Sequence, residues 1–431
     1  MTQPDRRFDR SLELLARARR VVPGASQTLS KGPGMFVEGA YPVFLERGRG
    51  CRVWDVDGNE YVDYILGLAS ITLGYAHPAV NEAVARQLER GSIFSLPHRL
   101  EVEVAERLTR VIPCAEMASF LKTGSEANAA ALRVARAATG RDRTVICGYH
   151  GWHDWYAITT PRAKGVAKEW GDLVAPFTYN DLGSLERALD EHYGKVAAVI
   201  MEPALLDAPA PGFLAGVKAA AHRHGALLIF DEIVTGFRWA VGGGQEYFGV
   251  VPDLAVFGKG MANGLPLAAV VGSAPLMAEF DEIFVSSTFG GDTLALAACL
   301  ATLDEYRARP VIEHLWRMGR RFQAGFAAAA ARHGVPARCV GYPVHPKIVF
   351  EVGPLETDRL LMSLLLQESA ARGVIFHFAG FNISFSHGEA DVDGTLRACD
   401  EALGVIAAAL ADGRIRERLR GKPYAEAFRR S

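Results

Sequence analysis

Gly225-Ala226-Leu227-Leu228-Ile229-Phe230-Asp231-Glu232 is the stretch on which the fold turns. Five apolar residues closing on an acid read as a buried strand, one that delivers a carboxylate to its C-terminal edge. Open α/β sheets bind their ligands at that edge. A buried carboxylate without a partner costs several kcal/mol or gives up its charge, so Asp231 calls for a cation or a hydrogen-bond donor. A second strand end follows at Val256-Phe257-Gly258-Lys259-Gly260 and carries a lysine in a glycine turn. Taken alone, each residue favours an ordinary role, the acid capping a helix and the lysine sitting in a loop.

Working outward, strands and helices alternate: a strand over 118–121, a helix over 125–138, strands over 143–147 and 195–201, a helix over 213–224, the Asp231 strand, then strands over 254–257 and 267–272. Such alternation predicts a mostly parallel sheet with helices on both faces. Earlier, 8–20 reads as an amphipathic helix, 44–55 and 60–65 as a hairpin around Val56-Asp57-Gly58-Asn59, and 78–89 and 100–110 as helices. After a helix over 294–308, long helices over 311–333 and 357–372 bracket a strand near 347–352. The stretch 381–385 then precedes a last helix over 392–411, and the basic run 414–430 reads as a solvated helix face. The expected organisation is an N-terminal segment, 1–65, contributing to a small domain, a large domain over 66–305, and a C-terminal small domain over 306–431.

With 431 residues the chain exceeds one hydrophobic core. Apolar residues at 49%, charged residues at 22% and a net charge of −2 describe a globular chain with no general attraction for nucleic acid or an anionic membrane. Cys51, Cys114, Cys147, Cys299, Cys339 and Cys399 form no CxxC pair, which fits a reducing cytoplasm better than a disulfide framework or a structural zinc site. Neither a secretory signal nor a membrane span is expected, since no run approaches the roughly 20 apolar residues a span needs.

Four further stretches fall at strand ends or loops. Lys122-Thr123-Gly124-Ser125-Glu126 has capping-box spacing and puts Gly124 and Ser125 where helix N-terminal amides can meet an anion such as phosphate, although an ordinary capped helix reads the same way. Gly148-Tyr149-His150-Gly151 offers Tyr149 as an aromatic that can lie on a planar heterocycle. His150 and His153 have no third ligand at suitable spacing, so no metal is expected. Met201-Glu202-Pro203 ends a strand on an acid, and Ser286-Ser287-Thr288-Phe289-Gly290-Gly291 is a polar glycine loop able to reach a phosphate. Five such sites on one predicted sheet edge favour a cofactor over independent caps. An acid facing a protonated pyridine and an amine bonded to the same ring are what pyridoxal phosphate requires.

In this order and spacing, Lys122-Thr123-Gly124-Ser125-Glu126-Ala127, Tyr149-His150-Gly151, Met201-Glu202-Pro203, Asp231-Glu232-Ile233-Val234-Thr235-Gly236-Phe237-Arg238 and Gly258-Lys259 resemble the class III aminotransferases of pyridoxal phosphate (PLP) fold type I. Leu73-Gly74-Tyr75-Ala76-His77-Pro78 and Gln245-Glu246-Tyr247-Phe248-Gly249-Val250 are most similar to the glutamate-1-semialdehyde 2,1-aminomutase branch. The resemblance spans about residues 20–410. It implies a large α/β domain with a mostly parallel sheet flanked by helices, plus a smaller α+β domain. Lys259 is then the lysine of the internal aldimine, and Asp231 holds the pyridine nitrogen protonated. Ile233 packs on one ring face, Tyr149 covers the other, and Gly124 and Ser125 donate to the phosphate. Thr288 reaches the phosphate of the neighbouring subunit in a homodimer.

Two departures separate the chain from the aminomutase. Its N-terminal loop, Gln27-Thr28-Leu29-Ser30-Lys31-Gly32-Pro33, offers Lys31 where the mutase has an arginine, and lysine cannot make the bidentate fork. Phe376-His377-Phe378-Ala379-Gly380-Phe381-Asn382 lacks the mutase's glutamate. Apart from these two, Asp207 departs from the wider family, which usually supplies an amide near the ring hydroxyl at that position. The expected activity is a cytoplasmic aminotransferase passing an amino group from an amino-acid donor to a carbonyl acceptor, a sugar or specialised-metabolite intermediate, with Lys31, Glu202 and Asn382 at the substrate. An aminomutase, epimerase or decarboxylase on the same fold is the alternative, and a catalytically silent binding protein would have lost the lysine or the acid.

Overall fold

The computed structural model describes residues 6–425. The chain forms two compact units, one of the residues up to His77 together with those from Glu313 on, the other Pro78–Ile312.

The Pro78–Ile312 unit is built on a seven-stranded sheet. From one edge its strands are Met117–Leu121, Ala268–Gly272, Leu254–Phe257, Leu227–Asp231, Val196–Met201, Arg143–Cys147 and Val174–Pro176. The last five run parallel to one another. Ala268–Gly272 is antiparallel to both its neighbours. Only ten residues join Phe257 to Ala268, too few for the crossover a parallel return needs. All residues of Val196–Met201, Leu254–Phe257 and Ala268–Gly272 are buried, as expected of strands covered on both faces.

Register carries the strand ends to one edge. Cys147 pairs with Met201, Met201 with Phe230, and Asp231 with Val256, while Leu121 and Phe257 lie opposite Ala268 and Ala269. Gly148-Tyr149-His150, Glu202, Asp231, Gly258-Lys259 and Lys122–Ser125 therefore leave the sheet at the same side. Helix Gly124–Thr139 lies on the sheet through Ala127, Ala130, Ala131 and Val134, packed with Ile200, Ile229, Val256 and Val270. Its alanines let the helix backbone approach the strands closely.

In the other unit, helices Asp9–Val21, Leu355–Ala371 and Glu389–Asp412 and most of Val311–His333 accompany a four-stranded sheet, Leu45–Arg49, Arg52–Asp55, Glu60–Asp63 and Val374–Ile375. The expected strand over 44–55 is two strands paired antiparallel, because the chain turns at Gly50, in the left-handed region at φ +59°. Arg52–Asp55 then pairs with Glu60–Asp63 around the expected turn. Ala337–Tyr342 forms a hairpin with His345–Phe350 that the periodicity did not reveal. Residues 381–385 are irregular, their amides bonding to the carbonyls of Pro346, Tyr64 and Thr72. The basic C-terminal run is not the expected helix face: past Gly413, which ends the last helix at φ +71°, the described part carries one short turn, Arg416–Arg418. Residues 426–430 of that run lie outside the described residues. Among the described residues no helix is long and apolar enough to cross a membrane.

Candidate active site

Asp231 is 3% exposed at the end of its strand. Its Oδ2 accepts from Asn128 Nδ2 at 2.7 Å and lies 2.8 Å from His150 Nδ1. Its Oδ1 accepts from the Ile233 amide at 3.1 Å. The buried acid thus has three partners from three elements: its own strand-end turn, helix Gly124–Thr139, and the loop after Cys147.

Lys259 opens a short 3₁₀ turn, Lys259–Ala262, with φ +42°. For a non-glycine residue this left-handed conformation costs on the order of 1–3 kcal/mol, held here by the surrounding strands. Burial pushes the Lys259 amine below the usual lysine range, and Arg238 pushes it further down. Glu202 and Asp231 pull the other way. Glu202 takes the Tyr149 amide on Oε1 at 2.8 Å. Burial, reinforced by the negative charge of Asp231, lifts its carboxyl to about 7, with the Tyr149 amide, His150 and Lys259 opposing. A lysine made less basic beside a carboxyl made less acidic is a pair suited to exchanging protons near neutrality.

The helix N-terminus is built as its sequence demands. Thr123 is the N-cap, its hydroxyl accepting from the Glu126 amide at 3.3 Å, while Glu126 Oε2 accepts from the Lys122 and Thr123 amides at 2.9 Å each. Gly124 and Ser125 occupy the first two helical positions, whose amides have no partner within the helix. Ser125 Oγ accepts from the Trp152 amide at 3.3 Å. Ile233 is wedged between two glycines: a Cβ on either Gly124 or Gly258 would lie 2.9 Å from its Cδ1. Tyr149 is 59% exposed, its ring edge-on to Tyr156.

The structure thus brings Gly124, Ser125, Tyr149, Glu202, Asp231, Ile233 and Lys259 to one sheet edge. Thr288 is exposed on the 284–292 loop beside the exposed Phe289, and Asp207 is exposed too. Lys31 and Asn382 belong to the other unit. Lys31 lines a cavity of about 500 Å³ there with Phe36, Tyr41, Asp63 and Tyr75. Asn382 is buried, its Oδ1 2.7 Å from His345 Nδ1 and its Nδ2 3.2 Å from the Ile65 carbonyl.

Three residues of the site have no role that the sequence reveals. His150 lacks the companions of a metal ligand and Asn128 follows the phosphate motif, yet both bind Asp231. Glu232, fully buried, accepts from the Thr235 hydroxyl, from the Gly244 and Gln245 amides at 2.6 and 2.8 Å and from Gln245 Nε2 at 3.4 Å. Burial lifts its carboxyl to about 7. The helical spacing of Asn128 from Ser125 was the one signal that could have placed it on the phosphate-facing side.

Residues 36–344 match the family described as aminotransferase class-III. The 3-aminobutyryl-CoA aminotransferase of Cloacimonas acidaminovorans (strain Evry) is 35% identical over 407 residues, 92% of this chain and 97% of that protein. A glutamate-1-semialdehyde 2,1-aminomutase of Syntrophobacter fumaroxidans (strain DSM 10017 / MPOB) is 35% identical over 423 residues, 91% of this chain and 97% of that protein. Among solved structures, the PLP internal aldimine form of the FumI protein of Sphingopyxis sp. MTA144 matches with a TM-score of 0.89 at 30% identity, covering 96% of this chain and 99% of that one.

Proposed function

The chain belongs to the class III aminotransferases and is a pyridoxal phosphate-dependent enzyme of that class, and on that premise we propose that Lys259 and Asp231 carry its reaction. When bound, the cofactor supplies an aldehyde carbon that holds the amino group between substrates and a ring that withdraws electrons. The residues at the sheet edge fit such a group. The Gly124 and Ser125 amides, at the positive end of a helix, suit its phosphate. Asp231 suits its ring nitrogen, and Ile233 and Tyr149 suit its two faces.

Lys259 takes the proton from Cα of the amino donor and later returns one, a role favoured by burial that lowers its basicity. Asp231 faces the positive charge of the ring nitrogen, held in place by Asn128 and His150. Glu202, largely buried and titrating near neutrality, is proposed to contact the substrate, as are Lys31 and Asn382. The acceptor we propose is a carbonyl compound without the aminomutase substrate's carboxylate geometry, a sugar or specialised-metabolite intermediate. Thr288, on a loop that exposes Phe284 and Phe289 by 84% and 57%, is proposed to complete the phosphate site of the neighbouring subunit in a homodimer. A cytoplasmic location is supported by six cysteines without a disulfide.

The observation that carries the assignment is the meeting of the buried, triply bonded Asp231 with a less basic Lys259 at the edge where a helix N-terminus opens. The aminomutase relatives support a second reading, an isomerase on the same residues, and Lys31 in place of a forked guanidinium weighs against it. Incubation of the holoenzyme with an amino donor and no acceptor separates the two. Transamination releases one equivalent of ketone and leaves the cofactor as pyridoxamine phosphate, whereas the isomerase releases no ketone. Borohydride should fix the cofactor on Lys259, and Lys259→Ala should lose turnover while keeping part of its cofactor affinity. A label on another lysine, or unchanged turnover, would overturn the assignment.

A further inference from the structure

Asn128 is 1% exposed on helix Gly124–Thr139. Its Nδ2 and the His150 Nδ1 both meet Asp231 Oδ2, at 2.7 and 2.8 Å. A carboxylate oxygen has two lone-pair sites, so Oδ2 is filled. Oδ1 has one bond, from the Ile233 amide at 3.1 Å, and one site left. Gly124 and Ser125 lie four and three residues before Asn128, so the three share one helix face.

We propose that Asn128 is a positioning residue for the transamination: it occupies Asp231 Oδ2 so that Oδ1 is the oxygen offered to the cofactor's ring nitrogen, and through Oδ2 it ties the carboxylate to the helix that receives the phosphate. This rests on the roles given above to Asp231 and Lys259. One helix then sets both ends of the cofactor, since its N-terminus takes the phosphate and its next turn aims the acid. The amide is also a costly choice for mere packing. Asn128 Oδ1 is buried without a hydrogen-bond partner, a penalty that an apolar side chain of similar size would avoid. Helix residues around it are mostly alanine, so the side chain is retained where the helix could have been apolar throughout.

The groups that face this position electrostatically are Asp231 and His150 in contact, with Glu202, Lys259, Tyr149 and Tyr156 around Asp231. Asn128→Asp keeps the shape and puts a second carboxyl against Asp231. Like charges raise the affinity for a proton, and the protonated form restores a donor to Oδ2. Asn128→Leu removes the donor outright.

The test measures kcat and KM of both holoenzyme variants across pH, together with thermal unfolding of the apo-proteins. Asn128→Leu should lower kcat about tenfold, the factor for one hydrogen bond to a charged group, with KM within about twofold. Asn128→Asp should lose more at alkaline pH and regain rate as pH falls, and its apo-protein should gain thermal stability relative to wild type over the same fall in pH. A purely structural asparagine would give no such acid rescue. Wild-type kcat in Asn128→Leu, or a wild-type pH profile in Asn128→Asp, overturns the proposal. Should Asn128→Leu not fold, the isosteric Asn128→Asp decides by its pH slope. Lys259→Ala run in parallel separates the two levels: if it is inactive while both Asn128 variants behave as wild type, only the role of Asn128 falls, and if it is active the assignment beneath falls too.

Discussion

Asp231→Asn exchanges a carboxylate for an amide of the same shape, and the hydrogen bonds of the site dictate how that amide must lie. The position of Oδ2 faces two donors, Asn128 Nδ2 at 2.7 Å and His150 Nδ1 at 2.8 Å. The amide oxygen matches those donors, which puts the NH₂ group on the Oδ1 side. It then meets the Ile233 amide, now 3.1 Å away, donor against donor, and offers the cofactor's ring nitrogen a donor where an acceptor stood. The two lost bonds, from the Ile233 amide and from the ring nitrogen, both run to an ionised carboxylate and are worth about 1.5–3 kcal/mol each. The second is felt as charge develops on the ring, so kcat should fall about 10²–10³-fold, the range for removing one preorganised electrostatic partner. The assay is the single-turnover half-reaction of the holoenzyme with an amino donor, followed by the cofactor's absorbance, with the apo-protein's melting temperature as a control on folding. The KM of the donor should change far less than kcat. A near-native rate in a folded Asp231→Asn enzyme would refute both the role of Asp231 and the lone-pair accounting behind it.

Gly151→Ala should damage the phosphate end. Gly151 has φ +101°, and a Cβ there would lie 2.2 Å from Ser125 Oγ and 2.9 Å from Ser125 Cα, so Ser125 must shift. Backbone strain of about 1–3 kcal/mol adds to this, and titration of the apo-protein with pyridoxal phosphate should read a weakening of about tenfold or more. Unchanged affinity would remove Ser125 from the phosphate site. Glu232→Gln should flatten the pH dependence of stability. The Glu232 carboxyl is lifted from 4.5 to about 7 in the fold, so its contribution is full below 4.5 and is lost as pH rises through about 7. Between about pH 6 and 8 the wild-type apo-protein should lose on the order of 1 kcal/mol that the variant, whatever its absolute stability, does not lose. Equal slopes in the two proteins would place the titration elsewhere.

Much of the large unit was legible because its signals are local. The apolar runs ending at Cys147, Met201, Asp231 and Phe257 are short and bounded, and the Thr123–Glu126 capping box marks its helix start to within a residue. Less was legible in the other unit. The 44–55 stretch alternates as one strand would, yet turns at Gly50, and residues 381–385 satisfy their amides on Pro346, Tyr64 and Thr72, carbonyls distant in sequence. A pattern of apolar residues cannot report bonds of that kind, because their partners are set only when the chain is folded.

By itself the sequence determined the strand that delivers Asp231, the lysine after the neighbouring strand, the phosphate-ready helix start and the family to which these belong, since each depends on residues adjacent in the chain. Tertiary structure alone decided what surrounds the acid. Asn128 and His150, 103 and 81 residues from Asp231, meet on one of its oxygens, Glu202 lies close enough to be lifted toward neutrality by burial and charge, and Ile233 is held between Gly124 and Gly258. These are properties of distance and of exclusion from water. Strand register sets the first by bringing remote chain ends to one edge, and close packing sets the second by burying charge there.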